Sequence, residues 1–214
     1  MRIGILGTGD VGRALGHAFI AEGHEVRMGS RSATNEKAVA WAGEAGERAS
    51  TGTFADVAEW AEVGVIALLG IVTEDVLNAV GPEAFSGKLV IDTTNPLDFS
   101  VGFPPALSIG HTDSLGERVQ RLLPDAQVVK AFNTVGNGLM YRPDLPGGPP
   151  TMFICGNAES ALDRTAAILD DFGWETAVLG GIEASRHLEP MCVVWVLYGA
   201  RAGTWNHAFR ILKA

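Results

Sequence analysis

Six residues near the N-terminus restrict this chain more than any other stretch. GTGDVG, from Gly7 to Gly12, follows the short apolar run RIGIL and opens a segment in which Val11, Leu15, Ala18 and Phe19 recur at helical spacing before Gly23. Strand, glycine turn and helix in that order form the setting a dinucleotide-binding turn requires. Gly7 permits the tight turn, Gly9 lets the backbone approach a pyrophosphate, and Gly12 allows helix and strand to pack closely. The anion then lies at the helix N-terminus.

The next strand, within HEVRMGS, selects between cofactors. An acidic residue that binds an adenine ribose 2'-hydroxyl is expected about 20 residues beyond the glycine motif. That place falls near Ser30 and Arg31, and the nearest acids, Glu25 and Glu36, lie at the strand start and in the following helix. A serine hydroxyl and a guanidinium able to form a bidentate pair suit the 2'-phosphate of NADP(H). The alternative is a helix N-cap at Ser30 or Ser32 beside a solvated arginine.

Further apolar runs follow: VGVIALL ending at Gly70, KLVIDTT (88–94), AQVVKAF (126–132) and PTMFICG (150–156). Segments of helical pattern separate them, including about Thr34 to Ala45 and a helix from Ser114 to about Leu123, opened by the capping-box sequence SLGE. Alternating strands and helices predict an α/β fold with a mostly parallel, doubly wound sheet of Rossmann-like type, covered on both faces. Two turn-rich stretches, 94–113 and 133–150, each follow a strand, so they belong at the carboxyl edge where ligands of open α/β sheets bind. From Ala184 to the C-terminus the pattern is helical and apolar, with Trp195, Tyr198 and Trp205. This segment, 184–214, is expected to close the sheet, to form a homodimer face or to contribute to an acceptor site.

At 214 residues the chain is expected to form one domain over 1–214. A net charge of −9 argues against nucleic acid or an anionic membrane surface as main partner. No signal-peptide pattern and no long apolar run is read, so a cytoplasmic location is expected. Cys155 and Cys192 have no metal-ligand spacing and read as two buried thiols, and His17, His24, His111, His187 and His207 show no paired spacing of ligands, so no metal is expected. Neither a GxSxG elbow nor a triad is present.

Taken together, GILGTGDVGRAL, GSR, VIDTTNP, KAFNTV and the C-terminal LEPM, W and NHAFRIL elements resemble, in order and over nearly the whole chain, the coenzyme F-420-dependent NADP oxidoreductase family, which includes the cytoplasmic domains of metalloreductases. The resemblance implies NADP(H) at the N-terminal motif and hydride exchange with a flavin or coenzyme F-420 as co-substrate near the C-terminal segment. By position, Thr8, Gly9, Asp10 and Val11 would contact the pyrophosphate, and Ser30 and Arg31 the 2'-phosphate. Leu68, Leu69 and Gly70 would line the ribose and nicotinamide side, joined by Asn95, Pro96, Ala131, Phe132 and Asn133, with Asn133 as a positioning residue. Deazaflavin-dependent members tend to carry His where this chain has Asn133, and KAFNT is closer to the metalloreductase branch, so flavin and deazaflavin both stand as acceptors.

Hydride transfer between stacked rings requires alignment and exclusion of water more than an acid or a base. The expected function is therefore an NADPH-dependent oxidoreductase acting on a small-molecule redox acceptor. The alternative is an NADP(H)-binding sensor or partner protein without turnover. An enzyme of small imines or 2-hydroxy acids ranks lower, because a C-terminal segment of ~30 residues leaves little room for the helical substrate domain such enzymes add. His187 and Glu189 could approach the acceptor, although a packing role at a helix start is the better expectation.

Overall fold

The computed structural model describes residues 1–213, and Ala214 lies outside the described residues. Eight strands form one sheet in the order β10-β9-β8-β5-β4-β1-β2-β3. These are β1 (Arg2–Leu6), β2 (Glu25–Ser30), β3 (Ala49–Thr53), β4 (Val63–Ile66), β5 (Leu89–Asp92), β8 (Gln127–Lys130), β9 (Thr151–Gly156) and β10 (Glu175–Val178). A two-stranded hairpin, β6 (Leu97–Asp98) with β7 (Ala106–Leu107), stands apart from it. The seven α-helices of the described residues are α1 (Asp10–Ala21), α2 (Glu36–Ala45), α3 (Phe54–Trp60), α4 (Gly70–Val80), α5 (Leu115–Leu122), α6 (Glu159–Asp171) and α7 (Ser185–Ala202).

Alternation along the central strands builds two cores. Ile3 and Ile5 of β1, Val63 and Val65 of β4, and Leu89 and Ile91 of β5 point to one face, where Leu15 and Phe19 of α1, Trp41 of α2 and Leu169 of α6 meet them. Leu6, Ile66 and Val90 point to the other face, against Val57 of α3, Leu77 of α4 and Val119 of α5. Such side chains each contribute about 1.5–3 kcal/mol on full burial. Both faces of the sheet are covered, as the sequence pattern predicts.

Three features depart from the sequence reading. The pair β3–α3 was absent from it, because ASTGT is a polar edge strand with no apolar run. Its helix begins with a capping box in which Thr53 and Asp56 satisfy each other's backbone donors, Asp standing where the common pattern has Glu or Gln. Secondly, β9 runs antiparallel to β8, and β10 is parallel to β9, so the sheet reverses polarity near that edge. Thirdly, the C-terminal helix stops at Ala202. Gly203 follows in the left-handed conformation (φ 67°), a backbone state that favours glycine, and residues 204–213 run back without helix. Thr151 donates to the Phe209 carbonyl at 2.9 Å, and Ile211 donates to the Thr151 hydroxyl at 3.0 Å, which pins the tail beside the start of β9.

Candidate functional site

The three N-terminal glycines have three different environments. Gly7 adopts φ 127°, and a Cβ there would overlap the Ala67 carbonyl oxygen. A Cβ on Gly12 would overlap the carbonyl oxygen of Gly7, so this glycine sets the distance between α1 and the turn. Gly9, by contrast, would meet no protein atom within 4 Å, and its backbone (φ −75°, ψ −178°) is open to any residue. Two of the glycines serve the fold, and the third leaves open the space at the N-terminus of α1. That helix has no side-chain cap, so its first N–H groups are free to bind an anion. Thr8 and Val11 are half-buried at the same turn, while Asp10 is exposed and paired with Arg13.

At the end of β2, Ser30 is buried and its hydroxyl folds the turn. It donates to the Ser32 carbonyl at 2.6 Å and accepts from the Ser32 N–H at 3.1 Å. Asn35 caps α2, accepting from the Lys37 and Ala38 N–H groups, so neither Ser30 nor Ser32 is the cap. Arg31 is exposed, and among the described residues it has no ion-pair partner. Ser32 and Thr34, hydroxyl to hydroxyl at 3.0 Å, stand exposed beside it. Ser32 and Thr34 were not among the sequence candidates. Their signal is the dense hydroxyl content of SRSAT after the strand.

Beyond β4 the chain exposes apolar surface. Leu69 is 75 % and Ile71 81 % exposed at the start of α4, whereas Leu68 is half-buried. Gly70 has a packing reason, because a Cβ there would overlap the Asn95 carbonyl oxygen. The ends of β4 and β5 therefore touch through backbone, with Pro96 buried beside them.

The end of β8 turns sharply. Phe132 has φ 59°, a left-handed conformation that costs about 1–3 kcal/mol at a non-glycine residue. Its ring is buried against Phe172, and Ala131 is wholly buried. Both side chains lie in the core, and what Phe132 supplies is the turn that delivers Asn133. The Asn133 amide donates to the Asn95 side-chain oxygen at 3.0 Å and to the Leu188 carbonyl at 2.9 Å, while the Asn95 amide donates to the Asn133 carbonyl at 2.8 Å. Asn133 is 3 % exposed, and its Oδ1 has no hydrogen-bond donor among the described residues. A buried amide oxygen without a donor is costly, and a ligand N–H would satisfy it.

Behind this pair lies a buried ion cluster. Lys130 Nζ is 2.9 Å from Asp92 Oδ2, 2.9 Å from Glu189 Oε1 and 2.7 Å from the Thr94 carbonyl. Burial alone pushes the ammonium down, but the two carboxylates outweigh it and hold Lys130 above the usual lysine range. Glu189 also accepts the Leu115 and Gly116 N–H groups at 3.0 and 2.9 Å, completing the N-terminus of α5. Glu189 thus has the packing role expected of it, and His187 is exposed on α7. A lysine and an aspartate at the ends of apolar strands, in VVKAF and VIDTT, were the readable signals of this cluster.

Among the described residues there is no metal-binding cluster of His, Cys, Asp or Glu, and no helix long and apolar enough to cross a membrane. Both cysteines are buried, and burial pushes each thiol up to about 11. The open space at Gly9, beside the uncapped N-terminus of α1, fits the phosphates of a dinucleotide.

Fold and site together define a Rossmann-like dinucleotide-binding protein. The family model described as NADP oxidoreductase, coenzyme F420-dependent, matches residues 2–96. The F420-dependent NADP reductase of Methanothermobacter marburgensis is 30 % identical over 99 % of this chain and 98 % of its own length. Metalloreductase STEAP3 of Rattus norvegicus is 24 % identical over 88 % of this chain, which spans 36 % of that protein. A crystal structure of a candidate F420-dependent NADP-reductase from Arthrobacter sp. FB24 superposes with a TM-score of 0.95 at 39 % identity, covering 100 % of both chains. The chain belongs to the coenzyme F420-dependent NADP oxidoreductase family.

Proposed function

We infer that the chain is an NADPH-dependent oxidoreductase that exchanges hydride with a deazaflavin of the coenzyme F420 type. The observation that carries this reading is the near full-length match to an F420-dependent NADP reductase, supported by a glycine turn whose central position is open to a ligand. When bound, the two cofactors supply the hydride chemistry. The protein's part is to bind, orient and exclude water. The α1 N-terminus, with Gly7, Thr8, Gly9, Asp10, Val11 and Gly12, receives the pyrophosphate. Arg31 and the hydroxyls beside it hold the 2'-phosphate, with Ser30 shaping that turn. Leu69 and Ile71 cover the ribose side with apolar surface. Asn133 Oδ1 accepts an N–H from a bound ring, and Asn95 fixes its amide.

One domain carries both sites in this reading, and the protein works in the cytoplasm. Val194, Leu197 and Tyr198 on α7 and Trp205 in the tail are each at least 40 % exposed, which supports a homodimer built on that face. No observation favours the alternative of a cofactor sensor without turnover.

The test is a fluorescence titration with NADPH and NADH in parallel, followed by addition of F420 and, separately, FMN. Tight NADPH binding with reduction of F420 is expected. Tight binding with no turnover on either acceptor would move the protein to the sensor class.

A further inference from the structure

The Lys130 cluster joins three parts of the chain that reach the site from different directions. Its ammonium has three donors, and three acceptors surround it: the Thr94 carbonyl after β5, Asp92 at the end of β5, and Glu189 in the second turn of α7. Asp92 grips Thr94 a second time, accepting its N–H at 2.9 Å and its hydroxyl at 2.7 Å. A buried ion group of this kind adds little net stability compared with apolar packing. What it contributes is a fixed geometry.

Each partner is adjacent in sequence to a group at the site. Thr94 precedes Asn95, and Glu189 follows Leu188, whose carbonyl accepts from Asn133. A closed circuit results: Lys130 to Thr94, Asn95 to Asn133, Asn133 to Leu188, and Glu189 back to Lys130. Within it both donors of the Asn133 amide are engaged, and so are the oxygen of Asn95 and one of its amide donors. Asn133 Oδ1 is the side-chain acceptor of the pair left over.

We propose that Lys130 is a positioning residue for hydride transfer, tying Thr94 and Glu189 to one ammonium so that the Asn95–Asn133 pair is locked with the Asn133 oxygen free for the ligand. This rests on the reading of Asn133 as a ligand contact. Lys130 touches neither cofactor and acts through the asparagine pair.

The experiment uses Lys130→Met, Asn133→Ala and the double variant, with folding checked by circular dichroism and melting temperature. In the unliganded wild type the Asn133 side-chain amide protons, assigned by their loss in Asn133→Ala, exchange slowly with water. In Lys130→Met they should exchange at least about tenfold faster. NADPH affinity should stay within about twofold, since the phosphate cradle lies at β1 and β2, while kcat with F420 falls about 10- to 100-fold. In the Asn133→Ala background Lys130→Met should cost less than about twofold in kcat, because the two act as one unit.

If Lys130→Met does not fold, Glu189→Gln, which leaves Asp92 beside the ammonium, replaces it with the same expectations. Unchanged amide exchange, wild-type kcat, or single effects that multiply in the double variant would each overturn the proposal. Wild-type kcat in Asn133→Ala overturns the ligand-contact reading instead, and the amide-exchange comparison then still decides whether Lys130 locks the pair.

Discussion

Replacing Gly9 by alanine tests whether this glycine is kept for a ligand rather than for the fold. The added methyl meets no protein atom within 4 Å, and the Gly9 backbone lies in the extended region, so alanine enters without strain. Loss of glycine's freedom in the unfolded chain stabilises by about 0.4–1 kcal/mol, and alanine's poorer N-capping costs a similar amount. The melting temperature should therefore move by less than about 3 °C. The methyl projects into the space where a pyrophosphate would approach the first N–H groups of α1. Displacing the anion weakens one or two charge-assisted hydrogen bonds of about 1.5–3 kcal/mol each, so NADPH affinity should fall at least about tenfold. Gly7→Ala provides the contrast, because its Cβ would overlap the Ala67 carbonyl oxygen at a φ of 127°, and it should destabilise the protein severely. Calorimetric titration and thermal melts on the same preparations give both quantities. Wild-type NADPH affinity in a folded Gly9→Ala protein would refute the placement of the pyrophosphate at this turn.

Arg31→Ala should weaken NADPH binding about 5- to 150-fold and leave NADH little changed in parallel titrations, since only NADPH carries the 2'-phosphate; equal losses for both would remove Arg31 from that role. The Glu117 carboxyl is held below the usual range by Arg186, with Ser114 adding to it against burial. A lowered folded pKa contributes stability above the unfolded value of ~4.3 that is lost as pH falls through the folded one, so the α5–α7 contact weakens in acid. Melts of Glu117→Gln from about pH 6 to about pH 3 should accordingly fall less steeply than the wild type. Cys155 and Cys192, buried and with thiols pushed up to about 11, should resist alkylation near neutral pH in the native protein and react only after denaturation, as mass spectrometry would show. Light scattering should report a dimer, and Tyr198→Glu on the exposed face of α7 should shift it to monomer.

The parts of the molecule legible in the sequence are those whose physics is local. GTGDVG after an apolar run fixes a turn within a few residues, and Ser114 caps α5 as SLGE predicts, accepting from the Glu117 N–H. The reversal at β9 was not legible, because side-chain alternation says which face a residue takes and nothing about strand direction. The end of α7 was legible but missed. Arg201 and Gly203 form the basic last turn and glycine stop of a helix, but Trp205 and Phe209 continue the apolar pattern beyond them. At the site, Asn95 and Asn133 were readable as residues, but their mutual bonds span 38 positions and arise only when β5 and β8 become neighbours. The burial of Ala131 and Phe132 accompanies the left-handed turn at Phe132, for which a phenylalanine gives no signal.

The order of strands also sets an order of assembly. Strands β1 to β3 extend the sheet to one edge, and β4, β5, β8, β9 and β10 then extend it to the other in the order in which they are made. By the time Ile71 leaves the ribosome, every element of the proposed phosphate cradle has been synthesised, whereas the Asn95–Asn133 pair and α7 have not. If the dinucleotide binds where proposed, its half of the sheet is therefore built before the edge that carries the Asn95–Asn133 pair, and a chain ending after α4 already holds all the strands that flank the glycine turn.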